Sequence, residues 1–295
     1  MISILPDVKP VLLWTDALIY VLIATVIWAA WYTRSREHLL TPWREVLRKP
    51  LGMSALVVLV VYLVIGLADS IHYKPRIGKD PKGQAQYAAQ IWSVLDAALK
   101  TLKENGEKTY SAPFAVQLYM KETVLDSDGV ERREYPRLKF GGRHINHPQR
   151  DQANDIRWQA TRGMGAGVIC GVAIILLVTS FLSFYYRENW FSVLWTIAKG
   201  KRHLPWRSLF SMVMCILIFA GFLISTAGSY HVFGTDKVGE DVLYQSLKSI
   251  RTGLVIGTLT TLVMLPFAIL LGIMAGYFKG WVDDVIQYIY TTLNS

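Results

Sequence analysis

Five windows of this chain are apolar and nearly free of charge: residues 11–32, 53–68, 164–186, 209–227 and 253–278. A helix rises about 1.5 Å per residue, so each can cross a hydrocarbon layer of roughly 30 Å, the second being the shortest. Lipid offers backbone N–H and C=O groups no partner, and helices satisfy them internally, so the windows constrain the fold to helical spans. Composition agrees, because 52% of the residues are hydrophobic and only 18% are charged, a balance foreign to ordinary soluble domains. The expected fold is an all-α polytopic membrane protein with about five transmembrane helices, plus a small extracytoplasmic α+β domain argued below.

The formal net charge of +9 resides largely in short connections. Arg34, Arg36, Arg44, Arg48 and Lys49 fall between the first two spans, and Arg187, Lys199, Lys201, Arg202 and Arg207 between the third and fourth. Cations of this kind are retained on the cytoplasmic side, which puts the N-terminus, residues 69–162 and the connection before the last span outside. That topology accounts for the basicity without a nucleic-acid partner. The first window lacks a basic n-region and is followed by arginines, so it is expected to be a retained span rather than a signal peptide. Cys170 and Cys215 both lie inside windows, which excludes a disulfide framework.

Residues 69–162 are too many for a connector and are expected to form an α+β cap. Ala88, Ile91, Trp92, Leu95, Ala98, Leu99 and Leu102 recur at helical spacing within 84–103. Residues 114–125 and 130–140 flank "DSDG" as a hairpin, and "RHINHPQRDQAND" is expected as loop. The chain then divides into 1–68 (two spans), 69–162 (the external domain), 163–188 (the third span) and 189–295 (two spans and an outer interfacial helix). In "WFSVLWTIAKGKRHLPWRSLF" aromatic and basic residues alternate, as in chain lying on the inner membrane surface against lipid headgroups.

The outer stretch "YHVFGTDKVGEDVLYQSL" supplies Thr235 and Asp236 to cap a helix from about Lys237, with Val238, Val242, Leu247 and Ile250 as its apolar stripe. In the last span Gly272 and Gly276 form G-x-x-x-G, which allows close helix approach; Gly257 and Thr261 repeat the spacing, and Pro266 predicts a kink. His144, His147 and Asp151 have zinc-ligand chemistry but no third strong ligand in register, so a solvated loop without metal is expected. Asp16, Asp69 and His72 are expected at the headgroup boundary. Walker A, G-x-S-x-G and H-E-x-x-H motifs are missing from the sequence, which argues against nucleotide hydrolysis or hydrolase chemistry in this chain.

"FGTDKVGEDVL", then "IRTGLVIG", then "LGIMAGYFKGWVDD" resemble the C-type inner-membrane permease subunits of the dipeptide, oligopeptide and nickel ABC importers. Gly234, Thr235, Asp236, Gly239, Asp241, Val242 and Leu243 match the family's outer motif; Ala275, Gly276, Tyr277, Gly280 and Asp283 match its inner-end motif. The resemblance covers about residues 200–295. It implies a bacterial inner-membrane permease subunit, not itself an enzyme, that forms part of a pathway for peptides or a related small solute by alternating access. It also implies a second permease subunit, two cytoplasmic ATPases carrying ATP and Mg, and an extracytoplasmic solute-binding protein; no cofactor is implied in this chain. Glu240 stands where the family usually has arginine. The family's cytoplasmic E-A-A-type coupling loop is not within residues 1–295, implying a truncated chain or a companion chain. A second reading, a membrane-anchored scaffold or sensor with a partner-binding cap and no transport, is favoured by the large cap and the missing loop.

Overall fold

The computed structural model describes residues 8–79, 85–125, 131–200, 204–278 and 280–294. In chain order the elements are β1 (Val8–Val11), α1 (Trp14–Arg34), α2 (Glu37–Arg48), α3 (Pro50–Ser70), β2 (His72–Lys79), β3 (Ala85–Tyr87), β4 (Trp92–Ser93), α4 (Val94–Ala98), α5 (Lys100–Glu104), β5 (Glu122–Leu125) and β6 (Glu131–Glu134). They continue as α6 (Pro148–Tyr186), α7 (Trp190–Ala198), α8 (Trp206–Ala227), α9 (Val242–Phe278) and α10 (Trp281–Asn294). Helices α1, α3, α6, α8 and α9 are long and apolar enough to cross a membrane. The protein is thus a mostly helical, multi-pass chain with small sheets.

Helices α1 and α3 form a hairpin whose free ends continue directly into paired strands: β1 runs antiparallel to β2, with Val11 opposite His72. β2 also pairs with β3 and β4. Helix α6 has 39 residues, about 58 Å at 1.5 Å per residue, so roughly half projects beyond a bilayer core. Its first turns carry part of the stretch expected as loop, because Pro148 occupies the first helical position, where its missing N–H costs nothing.

Helices α6 and α8 cross at backbone contact. A Cβ added to Gly163 would lie 2.3 Å from the Gly221 carbonyl oxygen, and one on Gly167 would lie 2.4 Å from that of Leu217. Where lipid removes the hydrophobic drive for helix association, this proximity gives dispersion contact along both backbones. At one end of the pair Leu182, Val193, Ile197 and Phe210 of α6, α7 and α8 form a core. At the other, Val116, Ile145 and Tyr230 join the cap to the end of α8.

The cap differs in part from the α+β reading. Residues 84–103 form two short strands and two short helices rather than one amphipathic helix, since Trp92 and Ser93 pair with Tyr73 and His72 of β2. Strands β5 and β6 pair in the anticipated hairpin, Leu125 opposite Glu131, and a bridge between Gln117 and Arg137 extends it. The "DSDG" turn itself lies outside the described residues, as do Lys201 and Arg202.

Candidate functional site

The helix expected from about Lys237 through Ile250 is not a separate interfacial element: residues 230–241 form turns and bridges, and 242–250 belong to the long α9. Helix α9 begins at Val242 and runs unbroken for 37 residues through Pro266. The reason is local: Asp241, not Thr235 or Asp236, caps it, its Oδ1 accepting from the N–H groups of Leu243 (2.8 Å) and Tyr244 (3.2 Å). Asp236 instead closes a tight turn, with Oδ1 accepting from Val238 and Glu240 N–H, both at 2.9 Å. The Gln245 amide, more than these backbone bonds, holds its carboxyl below the usual range.

The cap closes over this turn. Gly234 and Gly239 have φ of +76° and +83°, and a Cβ on Gly239 would sit 1.9 Å from the Glu107 carbonyl oxygen. Only glycine meets both conditions. The Thr235 hydroxyl donates to the Thr109 carbonyl at 2.8 Å, and Glu107 N–H donates to the Gly239 carbonyl at 2.8 Å.

Under the turn lies a buried charged triad that sequence reading missed. His231 Nδ1 is 2.7 Å from Asp241, and Nε2 is 3.4 Å from Glu107, with all three side chains at most 5% exposed. Burial depresses the imidazole pKa, but the two carboxylates outweigh it and raise His231 to about 9. At neutral pH both ring nitrogens therefore donate. Burial likewise opposes the charge on Glu107, yet His231 and the N–H groups of Phe140, Lys139 and Gly141 lower it to about 2. Only the tertiary fold could reveal the partnership, because Glu107 and His231 are 124 positions apart.

A second polar cluster joins the cap to α1, α3 and α9. Asp16, fully buried, accepts from the guanidinium of Arg251 on α9 and lies 2.9 Å from His72 Nδ1. Asp69, 2% exposed, accepts from the Ser93 hydroxyl at 2.8 Å. Asp96 takes Lys103 at 2.8 Å, Lys248 at 3.0 Å and the Tyr244 hydroxyl at 2.7 Å. Burial raises the Asp96 pKa, but these donors more than reverse it, holding the carboxyl far below the carboxylate range. Asp16, Asp69 and His72, expected among headgroups, are thus interior. A cleft of about 560 Å³ opens beside them, lined by Asp69, Lys103, Tyr244, Lys248 and Arg251.

The remaining expected site residues stand apart. Past Thr258 helix α9 is largely uncovered among the described residues: residues 259–273 are all exposed, and, its own adjacent backbone aside, nothing described lies within 4 Å of a Cβ on Gly257, Gly272 or Gly276. Ala275, Tyr277, Gly280 and Asp283 lie where α9 meets α10, with Gly280 at φ +65° in the turn and Asp283 accepting from Gln287 at 3.0 Å. The close-packing glycines are Gly163, Gly167 and Gly171 of α6, a G-x-x-x-G-x-x-x-G run legible in the sequence. His144 pairs with Asp155 at 2.8 Å rather than with His147.

Over 71 residues the chain is 30% identical to "Oligopeptide transport system permease protein OppC" of Mycobacterium tuberculosis, and equally to that of Mycobacterium bovis. Over 65 residues it is 35% identical to "Glutathione transport system permease protein GsiD" of Pectobacterium atrosepticum. The shared stretch is 24% of this chain and 24% of the first two relatives, and 22% of each in the third case. The chain therefore spans about a quarter of the length of the curated relatives it matches. No family model matches the chain. No solved structure matches it.

Proposed function

We propose that this chain is a non-catalytic permease subunit of an ABC importer in a bacterial inner membrane. In this reading α8 and α9 contribute to the pathway of a peptide or related small solute, and Thr235, Asp236 and Asp241 shape its outer mouth. The reading is supported by the partial likeness to two transport-system permeases. It is carried by one observation. The motif residues 234–241 build the ordered turn that starts α9, and that helix leaves a long apolar face, residues 259–273, uncovered in this chain. A second permease subunit is the cover such a pathway requires.

The remaining parts follow the same proposal: the cap side faces out, a solute-binding protein docks there, and two ATPases with ATP and Mg act from the other side. Gly272 and Gly276 then serve close approach to the second permease, and Pro266 gives α9 freedom to bend. Purifying the full chain from its native membrane under mild detergent tests this. A co-purifying ATPase pair, and solute uptake lost on deletion of the chain, support transport.

The scaffold reading has one observation in its favour. The cap seals the outer turn through Glu107, Thr109 and Ser111, leaving the motif's polar groups internally bonded. Recovery of the chain without ATPase, together with undiminished uptake in the deletion strain, would select it.

A further inference from the structure

Helix α2 is bound at both ends to membrane-crossing helices. Ser35 and Arg36 separate it from α1, and Lys49 alone from α3. It cannot leave the boundary of the bilayer. A Cβ on Gly52 would meet the Val46 carbonyl oxygen at 2.2 Å, so the α2–α3 corner is also tightly closed.

Its residues divide by face. Leu39, Leu40, Trp43, Val46 and Leu47 recur at helical spacing on one side; Thr41, Arg44, Glu45 and Arg48 occupy the other. None of its residues is buried, and Trp43 is 62% exposed. An apolar stripe and a basic face, held in the plane of a bilayer, are the marks of an interfacial helix.

The first turn of α8 meets the start of α3, next to the α2–α3 corner. The Ser208 hydroxyl donates to the Pro50 carbonyl at 2.7 Å and shares a hydrogen bond with Ser54 at 2.6 Å. These bonds join Ser208 to Pro50, the chain neighbours of Arg207 and Lys49. Gly200 in turn lies against Arg207, a Cβ there being 3.5 Å from Arg207 Cδ, and Lys199 sits over the Trp195 ring at 4.5 Å. Arg44, Arg48, Lys49 and Arg207 have no ion-pair partner among the described residues. Glu37 and Glu45 are the acids of α2, Glu188 precedes α7, and Asp283 and Asp284 belong to α10, which packs on α9.

We propose that α2 and the first turn of α8 form one in-plane platform that docks on anionic phospholipid headgroups, with Lys49 and Arg207 at its centre and Trp43 inserted at headgroup depth. The platform rests on the multi-pass fold and not on transport, so it stands or falls independently of the permease reading.

The test uses the full chain in nanodiscs of phosphatidylcholine alone or mixed with phosphatidylglycerol, with the lipid retained on extraction counted by native mass spectrometry. Phosphatidylglycerol is expected to be enriched. The combined substitution Arg44→Gln, Arg48→Gln, Lys49→Gln and Arg207→Gln should abolish that enrichment, at about fivefold per charge. Arg133→Gln with Arg143→Gln, in the cap, should leave it unchanged. Retention that ignores lipid charge, or that falls equally in the cap variant, overturns the proposal. A bimane label on Trp43→Cys, with Cys170 and Cys215 replaced by alanine, gives a second measure. Quenching by shallow doxyl lipid is expected; quenching by aqueous iodide alone overturns the docking.

Discussion

Helices α6 and α9 are of similar length, and both carry small residues four apart, yet they are held in opposite ways. Helix α6 lies against α8 at Gly163, Gly167 and Gly171, backbone to backbone. Helix α9 is fastened to the N-terminal helices chiefly over its first turns, where Lys248 and Arg251 reach carboxylates of the cap and α1 and where Leu254 lies against Gly66; its residues 259–273 are all exposed. A G-x-x-x-G pattern therefore states that two backbones can approach, but not which helix supplies the other. The difference also divides the energetics. Dispersion along a seam secures one helix, and buried ion pairs at one end secure the other.

The polar fastening should be the easier to break by a single change. Arg251→Met leaves the buried Asp16 carboxylate with His72 and the Leu13 N–H but without its guanidinium counter-charge, and destabilisation of about 4 kcal/mol is expected in thermal unfolding in detergent. Adding Asp16→Asn to that variant should recover part of the loss, because the uncompensated charge is gone. A further fall would refute the ion pair as the fastening.

The seam comes next. Gly167→Leu drives a side chain into the Leu217 carbonyl and Ile218 Cα, 2.4 and 2.8 Å from the new Cβ, where neither backbone can give, and about 3 kcal/mol should be lost. A wild-type unfolding midpoint in this variant would show that α6 and α8 do not cross there.

The triad beneath the 234–241 turn sharpens the contrast through pH. Folding raises His231 from 6.5 to about 9, so its stabilisation is complete below 6.5 and disappears as pH rises through 9. Glu107, lowered from 4.5 to about 2, contributes above 4.5 and loses its effect as pH falls through 2. The unfolding midpoint should accordingly peak between pH 4.5 and 6.5 and decline toward 9. His231→Gln should flatten the alkaline side, whereas an unchanged slope would remove His231 from the account.

The smallest effect is expected at Gly276→Leu. Nothing in the described chain meets that position, so the isolated chain should change by under about 0.5 kcal/mol. Any loss should appear only in assembly or uptake. Equal damage to the isolated chain at Gly276 and Gly167 would erase the contrast between the two helices.

The spans were legible in the sequence because lipid enforces long apolar windows, a signal that needs no knowledge of neighbours; the structure lengthened the third and fifth without moving them. The β5–β6 hairpin was legible from alternation and turn residues. The amphipathic pattern in 84–103 was misleading, because pairing to β2 overrode helical spacing at Trp92 and Ser93. Asp16, Asp69 and His72 sat at window edges, where sequence permits solvent or burial equally. Burial was decided by partners such as Arg251, 235 positions away from Asp16.

By itself, then, the sequence determined how many segments can cross a membrane and where the connections fall, since those consequences follow from solvation and the length of a helical span. The tertiary structure alone decided which glycines touch a helix, which carboxylates are interior, and that Glu107 meets His231. Those outcomes depend on groups far apart in the chain, whose interaction energies exist only once folding has brought them within a few ångströms.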